Sequence, residues 1–226
     1  MKYTYFLVLF FSVIVPFIFS FHPKLKFNKH FSAFFKANFL VATVFILWDI
    51  YFTSIGIWGF SPKYTTGLKI ANLPIEEILF FVCIPFSCLF TIHCFRIFFD
   101  LKWNERIEQI FVFAFALTLF IIGIIFREKA YTSSTFISTA IVLFFLKFYA
   151  KVNWLGAFFS IYPVLLVPFF IVNGILTGTG LESPVVWYNN NENLGIRLGT
   201  IPVEDIFYGL ELMLLNYFFY NRNKNS

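Results

Sequence analysis

GLKIANLPIEEILFF, residues 67–81, returns as GIRLGTIPVEDIFYG, residues 195–209. The two stretches align without a gap: Gly67-Leu68-Lys69 on Gly195-Ile196-Arg197, Pro74 on Pro202, and Glu76-Glu77 on Glu204-Asp205, an offset of 128 residues. Upstream, Trp58 aligns with Trp187 if one residue is skipped, and Asp49 aligns with Asn173 if the second loop is four residues longer. A gapless block with two gapped anchors marks an internal repeat.

Composition sets the solvent. Of 226 residues, 59% are hydrophobic and 13% charged, with a mean hydropathy of +0.79, whereas a soluble domain carries roughly 25% charged residues. Apolar runs at 3–21, 34–53, 76–95, 109–126, 133–150, 154–176 and 204–220 each approach the roughly 20 residues that cross a bilayer core. The first is too long and too aromatic for a signal peptide and lacks a small-residue cleavage site. The expected fold is an all-α polytopic membrane protein of about seven transmembrane helices, arranged as two parallel three-helix repeats (1–100 and 129–226) joined by a linker helix (101–128). Repeats that start four spans apart share one orientation, so both acid pairs should sit at one depth on one face.

Six cations (Lys2, Lys63, Lys69, Arg127, Lys129, Arg197) fall in the loops on that face and ten on the other. Positive loops favour the cytoplasm, which places the N-terminus outside and the C-terminus inside, with a bacterial cytoplasmic membrane as the expected location. The net charge of +5 is then an orientation signal and calls for no nucleic-acid partner. Cys83, Cys88 and Cys94 lack metal-ligand spacing, and no metal site is expected.

A single Pro-x-Glu is only a good helix start, since proline suits the first turn and an acid there gains about 0.3–1 kcal/mol from the helix dipole. Two of them, each seven residues after a cation and each beside an apolar helix, are harder to dismiss, because carboxylates near hydrocarbon are costly and usually face a cavity or a partner. Glu76, Glu77, Glu204 and Asp205 are therefore the candidate catalytic residues. Glu211 returns to the face of Glu204 after seven residues, whereas its counterpart in the first half is Cys83. The halves should differ, with Glu76 and Glu204 carrying the heavier chemistry and Glu77 and Asp205 mainly capping. Lys69 and Arg197 are read as charge-tuning residues that hold a nearby carboxylate ionised, or as anchors to lipid headgroups.

At these residues the chain resembles the flavin-independent, integral-membrane lycopene cyclases of bacteria, archaea and fungi, in which two homologous small polypeptides act together or are fused. WDIYFTSIGIWGF (48–60) and GLKIANLPIEEILFF look like the first half-protein; IVNGILTGTG (171–180) and GIRLGTIPVEDIFYG look like the second. The resemblance implies a lycopene β-cyclase: an acid protonates a terminal alkene, the neighbouring alkene attacks the tertiary cation, and loss of a ring proton completes a β-ionone ring. It implies lycopene and lipid as partners, together with other enzymes of carotenoid biosynthesis.

Asp49, Asn173, Glu211, Trp58, Trp187, Phe80, Phe81, Phe207 and Tyr208 are assigned to holding the substrate or its cation, since ring faces attract positive charge. Packing explains any single aromatic equally well. No G-x-G-x-x-G follows a strand–helix unit, so neither NAD(P)H nor FAD is expected as a cofactor. A sugar carrier of the SWEET type shares the three-one-three helix plan but bears Pro-Gln where this chain has Pro-x-Glu. A retinal protein would need a lysine between Glu204 and Tyr220, and none is present. A carotenoid-binding protein without activity is a third alternative.

Overall fold

The computed structural model describes residues 2–224. Its long helices are α1 (Thr4–Phe19), α2 (Phe31–Ser54), α3 (Ile75–Phe98), α4 (Glu105–Ile125), α5 (Ala130–Phe144), α6 (Leu155–Leu176) and α7 (Glu204–Lys224). A 3₁₀ turn, Phe27–His30, leads into α2, and a π-helical turn, Phe145–Tyr149, extends α5. Five of these are long and apolar enough to cross a membrane: Phe27–Ser54, Ile75–Phe98, Glu105–Ile125, Ala130–Tyr149 and Leu155–Leu176. The other two differ for separate reasons. Helix α1 is apolar but has 16 residues; α7 carries Glu204, Asp205 and Glu211 and is buried along most of its length.

Helix α7 lies against α2, α3 and α5, while α1 lies on α3 and α4 on α5. Polar side chains inside the bundle answer to prolines. Pro85 has no N–H to give Phe81 O, and Asn38 Nδ2 donates to that oxygen at 2.8 Å while also reaching Asn216 Oδ1 at 3.1 Å. Pro16 likewise frees Ser12 O, which accepts from Ser87 Oγ at 2.8 Å. In lipid each freed carbonyl needs such a substitute donor.

Outside the helices, two hairpins match residue for residue. Strand β2 (Lys69–Ile70) pairs with β3 (Leu73–Pro74), and β5 (Arg197–Leu198) pairs with β6 (Ile201–Pro202). The first turn position has a positive φ in both, 53° at Ala71 and 66° at Gly199; glycine takes this conformation freely and alanine under strain. Each hairpin is closed onto the following helix by the same bond, Ile75 N to Leu68 O at 2.9 Å and Val203 N to Ile196 O at 3.0 Å.

Strands β1 (Trp58–Phe60) and β4 (Val186–Tyr188) pair with each other, antiparallel, with Trp58 opposite Tyr188, Gly59 opposite Trp187 and Phe60 opposite Val186. This register keeps the offset of 128 unbroken, and it corrects the expected match of Trp58 with Trp187. Gly59 is the counterpart of Trp187, and a Cβ on Gly59 would stand 2.4 Å from the Trp187 ring. One residue of slip puts the two tryptophans on opposite faces of the ribbon: Trp58 is 5% exposed and Trp187 44%.

Candidate active site

Neighbouring residues on a helix point about 100° apart, so the two acids of each pair serve different surroundings. Glu76 Oε1 accepts from Thr66 N at 2.6 Å, and Glu204 Oε1 accepts from Leu194 N at 2.7 Å and from Thr132 Oγ1 at 2.6 Å. In both halves the first carboxyl thus pins the loop that precedes its helix, at an amide ten residues upstream. Both side chains are fully buried, and their Oε2 atoms have no hydrogen-bond partner among the described residues.

The second acid of each pair turns inward. Glu77 Oε2 accepts from Tyr5 OH at 2.5 Å, and Asp205 Oδ1 accepts from Tyr131 OH at 2.6 Å. Tyr5 opens α1 and Tyr131 opens α5, so the same contact recurs in each half. Asp205 Oδ2 takes two further donors, Tyr188 OH at 3.0 Å and Asn173 Nδ2 at 3.2 Å. Burial, and then the Asp205 carboxyl, push the Tyr188 phenol well above its ordinary pKa, which keeps it a donor.

Glu77 and Asp205 line a cavity of about 670 Å³ together with Asp49, near the C-terminal end of α2. Trp58 Nε1 donates to Asp49 Oδ1, while Asp49 Oδ2 has no partner among the described residues. Trp58, Phe60, Val186 and Tyr188, alternate residues of β1 and β4, roof this end. The rest of the wall is mostly apolar and comes from α1, α3, α6 and α7.

Several residues proposed from the sequence therefore meet here: Asp49, Glu77, Asp205, Asn173, Trp58, Phe80 and Tyr208 all line the cavity. Others lie elsewhere. Glu76 and Glu204 hold loops, so the heavier role expected for them is not supported by their positions. Phe81 packs on Phe45 in the core, and Phe207 packs on Phe136 with centroids 4.6 Å apart. Trp187 covers Gly59 on the outer side of the roof.

Glu211 Oε2 accepts from Ser138 Oγ at 2.6 Å and Thr139 Oγ1 at 3.2 Å, joining α7 to α5. Lys69 is exposed. Arg197 donates to Thr200 O at 2.6 Å and Asn190 Oδ1 at 2.7 Å, with its guanidinium 5.8 Å from the Tyr188 ring centre. The ion pairs among the described residues are Lys63–Glu182 and Lys147–Glu108, so neither cation of the repeat is paired with a motif acid. Tyr5, Tyr131 and Tyr188 were missed from the sequence. A tyrosine at the start of the first helix of each half was the available signal for two of them.

The structure thus places an apolar cavity inside a helical membrane protein, with three carboxyls and the aromatic faces of Trp58, Tyr188 and Tyr208 in its lining. The chain belongs to the lycopene cyclase family: the family model for lycopene cyclase matches residues 2–95 and residues 128–222, which contain both hairpins and the three cavity acids Asp49, Glu77 and Asp205. It is a carotenoid cyclase associated with the membrane. Neither a curated protein nor a solved structure matches the chain.

Proposed function

We propose that this protein is a lycopene β-cyclase in which Glu77 and Asp49 form the proton-donating pair and Asp205 receives the ring proton. The observation that carries the reading is the convergence of Asp49, Glu77 and Asp205 on one end of an otherwise apolar cavity. Asp205 accepts three hydrogen bonds, which fits it to act as an anion, whereas Glu77 accepts one and Asp49 keeps a free oxygen. Both line the same cavity, and neighbouring carboxyls can hold one proton between them.

The steps balance without an oxidant or a reductant. The acid pair gives a proton to the terminal alkene, and the tertiary cation forms beneath Trp58 and Tyr208, whose rings attract positive charge. The next alkene supplies its electron pair to close the six-membered ring, and Asp205 takes a proton from the carbon beside the new cation. One proton enters and one leaves, so no NAD(P)H or FAD is consumed in the scheme. An apolar wall also suits a hydrocarbon better than the sugar of a SWEET-type carrier.

The decisive experiment incubates protein in liposomes with lycopene in deuterated water. The expected product is a β-ringed carotenoid carrying one deuterium for each ring formed. Turnover without that label would overturn the acid mechanism, and chromatography separates β from ε rings.

All seven helices are taken to cross the bilayer, with the N-terminus outside. The pairing of β1 with β4 brings residues 54–73 and 177–201 to one end of the molecule, and the charge count assigns that end to the non-cytoplasmic side. A single cysteine placed in either loop of a protein freed of its own cysteines should react with an impermeant maleimide from outside intact cells. Labelling of either loop only after lysis refutes the topology.

A further inference from the structure

The β1–β4 ribbon lines the acid end of the cavity. Its side wall is different. Leu7 and Phe11 on α1 and Ile171 on α6 line the cavity, yet they are 48%, 68% and 63% exposed on the outer surface. Helices α1 and α6 touch over only a short stretch, so the wall between them is thin, apolar and turned toward lipid. Leu7 lies two residues beyond Tyr5, and Ile171 two residues before Asn173. These side chains thus flank the seam about 3 Å deeper than the groups that bind Glu77 and Asp205.

We propose that a linear polyene enters sideways from the bilayer through a portal between α1 and α6, placing one end at the acids while the remainder lies along the seam and in lipid. The inference rests on the cyclase reading for its substrate but on the wall alone for its route. From Thr4 to Pro16 the α1 side of the cavity is about 18 Å long, at 1.5 Å per residue, a slot that suits an extended chain.

The other half of the molecule shows why there is one portal. The offset from Tyr5 to Tyr131 is 126 residues, so Ile137 on α5 is the counterpart of Phe11. Ile137 is covered by α4: a Cβ on Gly123 would meet Ile137 Cγ1 at 2.6 Å. Ser138, the counterpart of Ser12, is taken up by Glu211. The linker helix closes on α5 the face that α1 leaves to lipid. With one acid cluster and one opening, only one end of the chain reaches the acids at a time, and cyclising both ends requires the one-ringed product to leave and return reversed.

The route is read by carbodiimide labelling of the full chain in liposomes, with the modified residue located by mass spectrometry. Dicyclohexylcarbodiimide, which dissolves in the bilayer, should label Glu77 or Asp49, whereas a charged water-soluble carbodiimide should not. A Leu7→Trp, Ile171→Trp double variant should lower that labelling at least fivefold, while Ile110→Trp on the lipid face of α4 should leave it unchanged; helix content and a monodisperse elution profile confirm folding. Equal labelling of the double variant and the parent, or labelling by the water-soluble reagent at the same rate, would overturn the portal. Because labelling needs no turnover, portal-dependent labelling in a protein that leaves lycopene unchanged would reject the cyclase reading alone.

Discussion

Glu77→Gln and Asp205→Asn are each expected to reduce cyclisation at least about a hundredfold, the scale of a lost general acid or base, with the protein still folded. Glutamine at position 77 can keep the Tyr5 hydrogen bond through its carbonyl, but it has no proton acidic enough for an alkene. Asparagine at 205 keeps an acceptor but loses the charge that takes the ring proton. Glu76→Gln and Glu204→Gln should retain most activity per folded molecule, because the amide oxygen still accepts from Thr66 N or Leu194 N. Their effect belongs to stability: the new NH₂ replaces an Oε2 that has no partner among the described residues, and a buried unsatisfied donor costs about 1–3 kcal/mol. Pigment formed per mole of folded protein separates the cases. Full activity in Glu77→Gln together with loss in Glu76→Gln would return the chemistry to the first acid of each pair.

Much of this architecture was legible because its signals are periodic. Apolar runs mark the helices, and the doubled block from Gly67 and Gly195 marks the starts of α3 and α7, whereas the hairpins within that block emerge only in the structure. What the pattern withheld was direction. Glu76 and Glu77 are chemically alike and adjacent, so which one faces the loop amide and which the cavity depends on how residues 61–73 fold back, a tertiary choice without a local signature. The Trp58–Trp187 match failed for a related reason. Identity of residue type argued for a one-residue gap, but in a paired ribbon that gap exchanges the two faces, and the register holds Gly59 against Trp187. Tyr5 and Tyr131 lie more than 70 residues away in sequence from Glu77 and Asp205, beyond any spacing rule. Asn38 has no local signature either, because its partner is the Phe81 carbonyl that Pro85 frees 43 residues further along the chain.

Lys147→Met is expected to destabilise the protein by about 3–5 kcal/mol, the usual cost of removing one member of a buried ion pair, without altering the chemistry of the cavity. Lys147 is one of the ten cations counted on the opposite face, yet its Nζ donates to Glu108 Oε1 at 2.6 Å with both side chains nearly excluded from solvent. The π-helical turn Phe145–Tyr149 positions it, and Ala150 N bonds back to Phe145 O at 2.8 Å. Glu108 is doubly used. Its Oε2 accepts from Gly156 N at 2.6 Å, one of the amides left open at the start of α6, so a carboxylate on α4 caps a neighbouring helix and joins α4, α5 and α6. No side chain fits at Gly156, where a Cβ would stand 2.5 Å from Trp103 Cγ. Removing the lysine alone leaves the Glu108 carboxylate buried with only the Gly156 amide of its two partners, which is the costly state. Glu108→Gln combined with Lys147→Met removes both charges and keeps an oxygen for Gly156 N, and should recover most of the loss, since exchanging a whole buried pair for neutral groups is often close to neutral. Thermal unfolding in detergent, followed by loss of the monodisperse species, measures both variants. A single variant as stable as the parent would make the pair incidental, and a double variant no better than the single would show that the charge itself, rather than its compensation, holds the three helices together.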